Sequence, residues 1–174
     1  MSTTALLIID LQVGNFEEIN PIYNDKELLS KSAKLITIAR SRKVPVIYIQ
    51  NNGGKGDPDE YNSPGWEIHP LVTPMEGEII IQKTTPDAFH ETNLQEILKT
   101  QGIKELVIAG LQTEYCIDTT WRRASILGYE VNLVKDTHST WNTDYLKAEQ
   151  IIHHHNEVLS GWFVKLKAEN DINF

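Results

Sequence analysis

Cysteine is almost missing from this chain: among 174 residues there is one, Cys116. An intramolecular disulfide is thereby excluded, as is any metal site needing several thiolates, and in a reducing compartment the single thiol stays free for chemistry. Long apolar runs are missing too. No stretch approaches the roughly 20 residues that span a bilayer, and residues 1–10 read as a strand with no basic leader or cleavage site. The expectation is a cytoplasmic protein with no membrane partner. Basic residues are outnumbered: 16 Lys and Arg face 24 Asp and Glu, for a formal charge of −8. That balance works against phosphate backbones, so nucleic acid is not an expected partner. The pair Arg122-Arg123 reads as a solvated or ion-paired helix face. A phosphate-binding loop is also missing, because Gly53-Gly54-Lys55-Gly56 lacks both the glycine spacing and the following helix. No nucleotide cofactor is expected.

What is present suits a packed domain. Apolar residues make up 40% and charged residues 23%, ordinary values for a globular chain, and this length fits a single domain over residues 1–174. Continuous β-branched runs at Ala5–Ile9, Val44–Ile49, Glu78–Ile81, Leu106–Ala109 and Val131–Val134 predict strands buried on both faces. Helical patterns fall between them. The first covers Asp25–Arg42, with Asn24 as cap and Leu28, Leu35, Ile36 and Ala39 on one stripe. The second follows a Thr92–Gln95 capping box and ends at Gly102, a residue suited to a left-handed cap. Two more cover Thr113–Leu127, stopped by Gly128, and Thr143–Leu159, stopped by Gly161, after which Gly161–Lys167 offers a last strand. This alternation predicts a three-layer α/β domain with right-handed crossovers. Between Asn51 and Pro74 the density of Gly and Pro predicts a long loop of the functional kind, carrying Tyr61, Trp66 and His69.

In open parallel sheets, ligands bind beyond the carboxyl ends of the strands. Three residues of catalytic type stand there: Asp10 after Leu6-Leu7-Ile8-Ile9, Lys83 after Ile79-Ile80-Ile81-Gln82, and Cys116 just past Val107-Ile108-Ala109-Gly110, in the first turn of a helix. Each alone has an ordinary reading. Asp10 would cap local backbone, Lys83 would be an exposed cation, and Cys116 a small buried hydrophobe. Together they can form a nucleophile with its base. A thiol of ordinary pKa, about 8.5, is only about 3% thiolate at neutral pH. The helix N-terminus and the Lys83 ammonium favour the thiolate, whereas the Asp10 charge opposes it, which casts Asp10 as the proton acceptor.

The segments Leu7-Ile8-Ile9-Asp10-Leu11-Gln12, Lys83-Thr84-Thr85-Pro86-Asp87-Ala88-Phe89 and Ala109-Gly110-Leu111-Gln112-Thr113-Glu114-Tyr115-Cys116-Ile117 together resemble the isochorismatase-like hydrolases, cysteine hydrolase and amidase branch. The resemblance continues through Thr119, Thr120, Arg123, Ala124 and Gly128 to Val134-Lys135-Asp136. It implies a Rossmann-like, six-stranded parallel sheet and a catalytic triad of Asp10, Lys83 and Cys116. In that pattern Asp10 accepts the thiol proton and returns it to the leaving amine, Lys83 stabilises charge, and Cys116 forms a covalent intermediate. The resemblance also implies a non-proline cis peptide at Leu111-Gln112 and an oxyanion hole from the N–H groups of Gln112 and Cys116.

Nicotinamidases of the same superfamily carry an Asp-x-His metal motif after the second strand, where this chain has Gln50-Asn51-Asn52. No metal is therefore expected. His69 reads as a loop hydrogen-bond donor or substrate contact, and His153, His154 and His155 diverge by about 100° per residue along a helix, too far apart in direction to converge on an ion. Phe16, Trp66 and Tyr115 are candidates for an apolar substrate wall, and Gln12 for orienting Asp10 or substrate. Trp121, Trp141 and Trp162 read as core or interface, and Asp136 as a turn cap outside the site. The expected function is metal-independent cleavage of a C–N bond in a small amide, carbamoyl compound or lactam, by a homodimer or homotetramer. The alternatives are hydrolysis of a vinyl ether of the isochorismate type and a ligand-binding protein that kept the fold without turnover.

Overall fold

The computed structural model describes residues 2–17, 19–172 and 174. In chain order the elements are β1 (Thr4–Ile9), α1 (Asp25–Ser41), β2 (Val46–Asn51), β3 (Ile79–Lys83), α2 (Leu94–Thr100), β4 (Glu105–Leu111), α3 (Asp118–Ile126), β5 (Glu130–Ser139), α4 (Ala148–Trp162) and β6 (Lys165–Lys167). The strands form one six-stranded sheet in the order β3-β2-β1-β4-β5-β6, and every neighbouring pair is parallel. This is the expected α/β architecture. The central strand β1 is buried along its whole length, since its odd and even residues enter different cores. Ala5, Leu7 and Ile9 pack with Ile47, Ile108 and Trp121 on one face, while Leu6 and Ile8 meet Leu35, Ile36 and Tyr48 on the other. Leu7 is 0% exposed, so Leu7→Ala would cost roughly 2–5 kcal/mol.

Helix α1 buries the predicted stripe of Leu28, Leu35, Ile36 and Ala39, but Asn24 makes no side-chain cap bond. Its backbone instead turns left-handed, with φ 53°. The Thr92–Gln95 box is also replaced. The Thr92 hydroxyl donates to Ala88 O at 2.6 Å and accepts from Leu94 N at 3.3 Å, so α2 begins one residue late, after Asn93. The helix expected over residues 113–127 is divided into a wide π-helical turn, Thr113–Ile117, and then α3. The last helix starts at Ala148, because the Thr143 hydroxyl takes the N–H groups of Tyr145 and Leu146 at 3.3 and 3.0 Å. A local side-chain bond of this kind competes with helix formation. Gly161 does not stop α4, which runs on to Trp162. No described helix is long and apolar enough to cross a membrane.

The long loop is structured by short 3-10 turns at Pro64–Trp66 and Pro70–Val72. It is tied to the segment after β1, where Val13 N donates to Glu67 O and His69 N to Leu11 O, both at 2.8 Å. The loop therefore lies against the carboxyl end of the sheet, the edge where β1 releases Asp10.

Candidate active site

Asp10 stands where β1 stops. Its backbone is left-handed, with φ 52°, and its N–H donates to Ile49 O at 2.9 Å. The neighbouring strand β4 can come this close only because of Gly110, where a Cβ would sit 2.0 Å from Ile9 O. The expected cis peptide follows at Leu111-Gln112, and the chain then enters the π-helical turn that carries Cys116. There the Tyr115 and Ile117 N–H groups both close on Gln112 O, at 3.0 and 3.2 Å. Lys83 comes from the far side of β2, as the last residue of β3.

The three residues meet. The Lys83 ammonium lies 2.8 Å from Asp10 Oδ2 and donates to Cys116 Sγ at 3.3 Å and to Asn51 Oδ1 at 3.2 Å. An ammonium has three protons, and these partners use them all. The side chains of Lys83 and Asp10 are 0% and 6% exposed, so the pair is withdrawn from solvent. Asp10 Oδ1 is buried without a protein hydrogen-bond partner, which leaves a lone pair free beside the thiol.

Burial raises the Asp10 carboxyl above its ordinary range; Lys83 opposes this, and Asp59 adds a smaller push in the same direction as burial. Burial also works against the Lys83 ammonium, yet Asp10 and the Cys116 sulfur hold its pKa above the usual lysine value. Burial first and Asp10 second push the Cys116 thiol up to about 12, against the pull of Lys83. Of the influences weighed from the sequence, Lys83 favours the thiolate and Asp10 opposes it. Burial adds to the opposition of Asp10, and together they outweigh the pull of Lys83.

Two residues that the sequence reading passed over complete the cluster. Asn51 ends β2, and its amide donates to Asp59 Oδ2 at 2.8 Å while its oxygen receives Lys83. Asp59 belongs to the long loop, held where backbones press together: a Cβ on Gly14 or Gly65 would sit 1.9 or 2.1 Å from Pro58 O. The available signal was positional, since Asn51 ends a strand as Asp10 and Lys83 do. Gln12 turns out to serve Asn51, accepting from its N–H at 2.8 Å and donating to its carbonyl at 2.9 Å and to Trp66 O at 3.0 Å. It is fully buried, and these bonds go to Asn51 and Trp66 rather than to Asp10.

The cavity that opens onto Cys116 has a volume of 410 Å³, with Asp10, Asn15, Glu17, Asp59, Gln112 and Trp141 on its wall. The expected aromatic wall is elsewhere. Phe16 packs edge-on against His69 at 5.0 Å. Trp66 donates its indole N–H to Asn52 Oδ1 at 2.9 Å and borders a separate cavity of 620 Å³ beside β3. Tyr115 is 56% exposed. The aromatic residue on the wall of this cavity is Trp141, anchored by its N–H to Asn20 O at 2.8 Å. Trp121 is core as expected, and Trp162 is 91% exposed.

His69 accepts through Nδ1 from Leu71 N at 3.2 Å rather than donating, and burial lowers its pKa. His153 and His154 are exposed, and His155 Nδ1 bonds Ile151 O at 2.8 Å. Asp136 lies away from the cavity, paired with Lys31 at 2.9 Å and accepting from Glu169 N at 3.0 Å.

The Isochorismatase domain pattern matches residues 4–157. A streptothricin hydrolase from Streptomyces noursei is 33% identical over 138 residues, covering 79% of this chain and 50% of that protein. The chain thus spans about half the length of the streptothricin hydrolases it matches. A ureidoacrylate amidohydrolase from Rhizobium rhizogenes is 25% identical over 197 residues, covering 92% of this chain and 79% of that protein. The crystal structure of an isochorismatase from Pseudomonas putida KT2440 superposes with a TM-score of 0.92 at 28% identity, over 98% of this chain and 90% of that one. A family pattern running across nearly the whole sheet, on a backbone that superposes this closely, establishes that the chain belongs to the isochorismatase family.

Proposed function

We propose that this chain is a cysteine hydrolase that cleaves a C–N bond of a small amide, carbamoyl compound or lactam through a covalent intermediate on Cys116. One observation carries the reading: a single buried ammonium, Lys83, contacts both the Asp10 carboxylate and the Cys116 sulfur. A thiol pushed up to about 12 needs a base at the moment of attack, and Asp10 Oδ1 has the free lone pair. Sulfur bonds to the substrate carbonyl carbon as its proton passes to Asp10. The carbonyl oxygen, now negative, is received by the N–H groups of Gln112 and Cys116, both on the cavity wall. Losing one such donor typically costs about 2.7–4 kcal/mol of transition-state stabilisation.

Collapse of the tetrahedral intermediate breaks the C–N bond, and Asp10 returns its proton to the leaving nitrogen. A thioester remains. Water then attacks it with Asp10 as base again, releasing the acid and restoring the thiol. Lys83 keeps the Asp10 carboxylate from being stranded in a dry site and faces the sulfur as charge develops on it. Asn51, at the place of the metal motif in nicotinamidases, commits its side chain to Lys83 and Asp59, which supports a reaction without metal. The streptothricin hydrolase and amidohydrolase relatives support the reaction class. Rapid quenching of turnover followed by intact-mass analysis is expected to find an acyl adduct on Cys116, absent in Cys116→Ala. Undiminished amide turnover by Cys116→Ala would overturn the mechanism.

A further inference from the structure

The formal charges around the Cys116 cavity do not balance. Asp10, Glu17 and Asp59 lie on its wall, and among the described residues no lysine, arginine or histidine does. The nearest cation, Lys83, has a side chain 0% exposed, and its protons go to Asp10, Cys116 and Asn51. It answers the charge of Asp10 and leaves the others unanswered. Asp59 is 8% exposed, yet its carboxylate receives a side-chain hydrogen bond from a neutral amide, Asn51 Nδ2. Glu17 is exposed at the mouth and has no ion-pair partner among the described residues. With carboxylates on the wall and no cation facing them among the lining residues, the wall is poised for a positive charge arriving with the ligand. Trp141 also lines this cavity, and an indole is a side chain that can attract a cation. Asp10 Oδ1, buried and without a partner on this wall, marks the reacting end of the cavity.

We infer that this cavity takes a positively charged substrate, an amide or lactam whose amine or guanidinium group sits toward Asp59, Glu17 and Trp141 while its carbonyl lies at Cys116. The inference rests on the hydrolase reading for the reaction and on the wall for the charge. A substrate carboxylate would be driven against two unanswered carboxylates, so anionic amides and the dianionic vinyl ether of isochorismate are rejected. Glu17 and Asp59 are specificity-determining residues, and Asp59 also positions Lys83 through Asn51.

The single cysteine gives a direct probe of this charge. Methanethiosulfonates transfer their thiol group to the Cys116 sulfur, forming a disulfide and releasing methanesulfinate, and they exist as an aminoethyl cation and a sulfonatoethyl anion of similar size. Each rate is divided by the rate with a small free thiol, which removes intrinsic reactivity. The normalised cation-to-anion ratio is expected to exceed unity by about tenfold or more. It should fall with added salt and drop severalfold in Glu17→Gln and in Asp59→Asn. A ratio near unity, or one unchanged in both variants, would overturn the inference. Glu17 is exposed, so its variant reports even if Asp59→Asn loosens the loop. The labelling needs no turnover: charge selection in a protein that hydrolyses no amide would sink the hydrolase reading and leave the cation preference standing. With turnover in hand, kcat/KM for a cationic amide should exceed that for its size-matched anionic counterpart by a similar factor.

Discussion

Two buried polar clusters grip the same short turn, and they are built on opposite principles. On one side Cys116 meets Lys83 and Asp10, with the Asp10 Oδ1 lone pair unused and a cavity alongside. On the other side His138, 4% exposed, bonds Thr113 Oγ1 at 2.9 Å and Asn156 Oδ1 at 3.0 Å, with its ring edge-on to Trp121 at 5.1 Å. Both ring nitrogens of His138 are used. The His138 ring is fully partnered and fixes the turn, whereas the other cluster retains an unspent acceptor on the wall of a cavity. Buried polar groups pay for themselves in stability only when fully partnered, so the incomplete cluster is the one to read as function.

The largest expected effect breaks the open cluster. Cys116→Ala should lower kcat/KM by about 1000-fold or more while leaving the melting temperature close to that of the parent protein, measured by steady-state assay and calorimetry. Lys83→Ala should damage both properties. It leaves Asp10 buried without its counter-charge, a loss of roughly 3–5 kcal/mol, read from denaturant unfolding at neutral pH together with a fall in turnover.

The sealed cluster should respond the other way. His138→Phe strands the Thr113 hydroxyl and Asn156, for a loss of about 2–4 kcal/mol, with kcat/KM of the folded protein changing by less than about tenfold. Burial holds the His138 pKa down at about 4, from 6.5. An unfolded chain binds a proton there before the folded one does. Stability is therefore complete above the unfolded value and is lost as pH falls toward 4, by up to about 3 kcal/mol. Unfolding curves across that window should flatten in His138→Phe.

The smallest effect sharpens the electrostatics of the open site. Activity requires Asp10 to be unprotonated, so kcat/KM should fall as pH drops through a limb that burial places above the ordinary carboxylate range. Asp59 adds to that elevation, and Asp59→Asn should move the limb modestly to lower pH.

The reacting trio was legible in the sequence because period and position suffice for it: an apolar run buried on both faces must end in a residue at the sheet edge, and Asp10 does so. The sheet was legible for the same reason. What surrounds the trio was not. Gln12 was placed correctly at the edge, but its bond to the Asn51 backbone depends on the strand pairing of β1 with β2, which no local pattern fixes. Asp59 reaches Asn51 because a loop of breakers folds back with glycine backbones in contact, a long-range packing event. Trp66 and Trp141 exchanged places for the same reason, since each indole follows where its loop closes. Strand β5 was read as ending at Val134, yet it continues to Ser139 through an irregular register that sets His138 beside Gly110. Its polar residues, Thr137, His138 and Ser139, are buried by tertiary contacts that hydropathy does not register.

The central claim is that the resting thiol is protonated and that Asp10 removes its proton. Because Cys116 is the sole cysteine, labelling cysteine with carbon-13 gives one Cβ signal whose shift reports thiol or thiolate directly. Followed across pH, the wild-type signal should stay at the thiol position through neutrality, and in Asp10→Asn the thiolate should appear at lower pH even as turnover collapses. A thiolate already present at neutral pH in the free wild-type protein would contradict the account, because no base would then be needed.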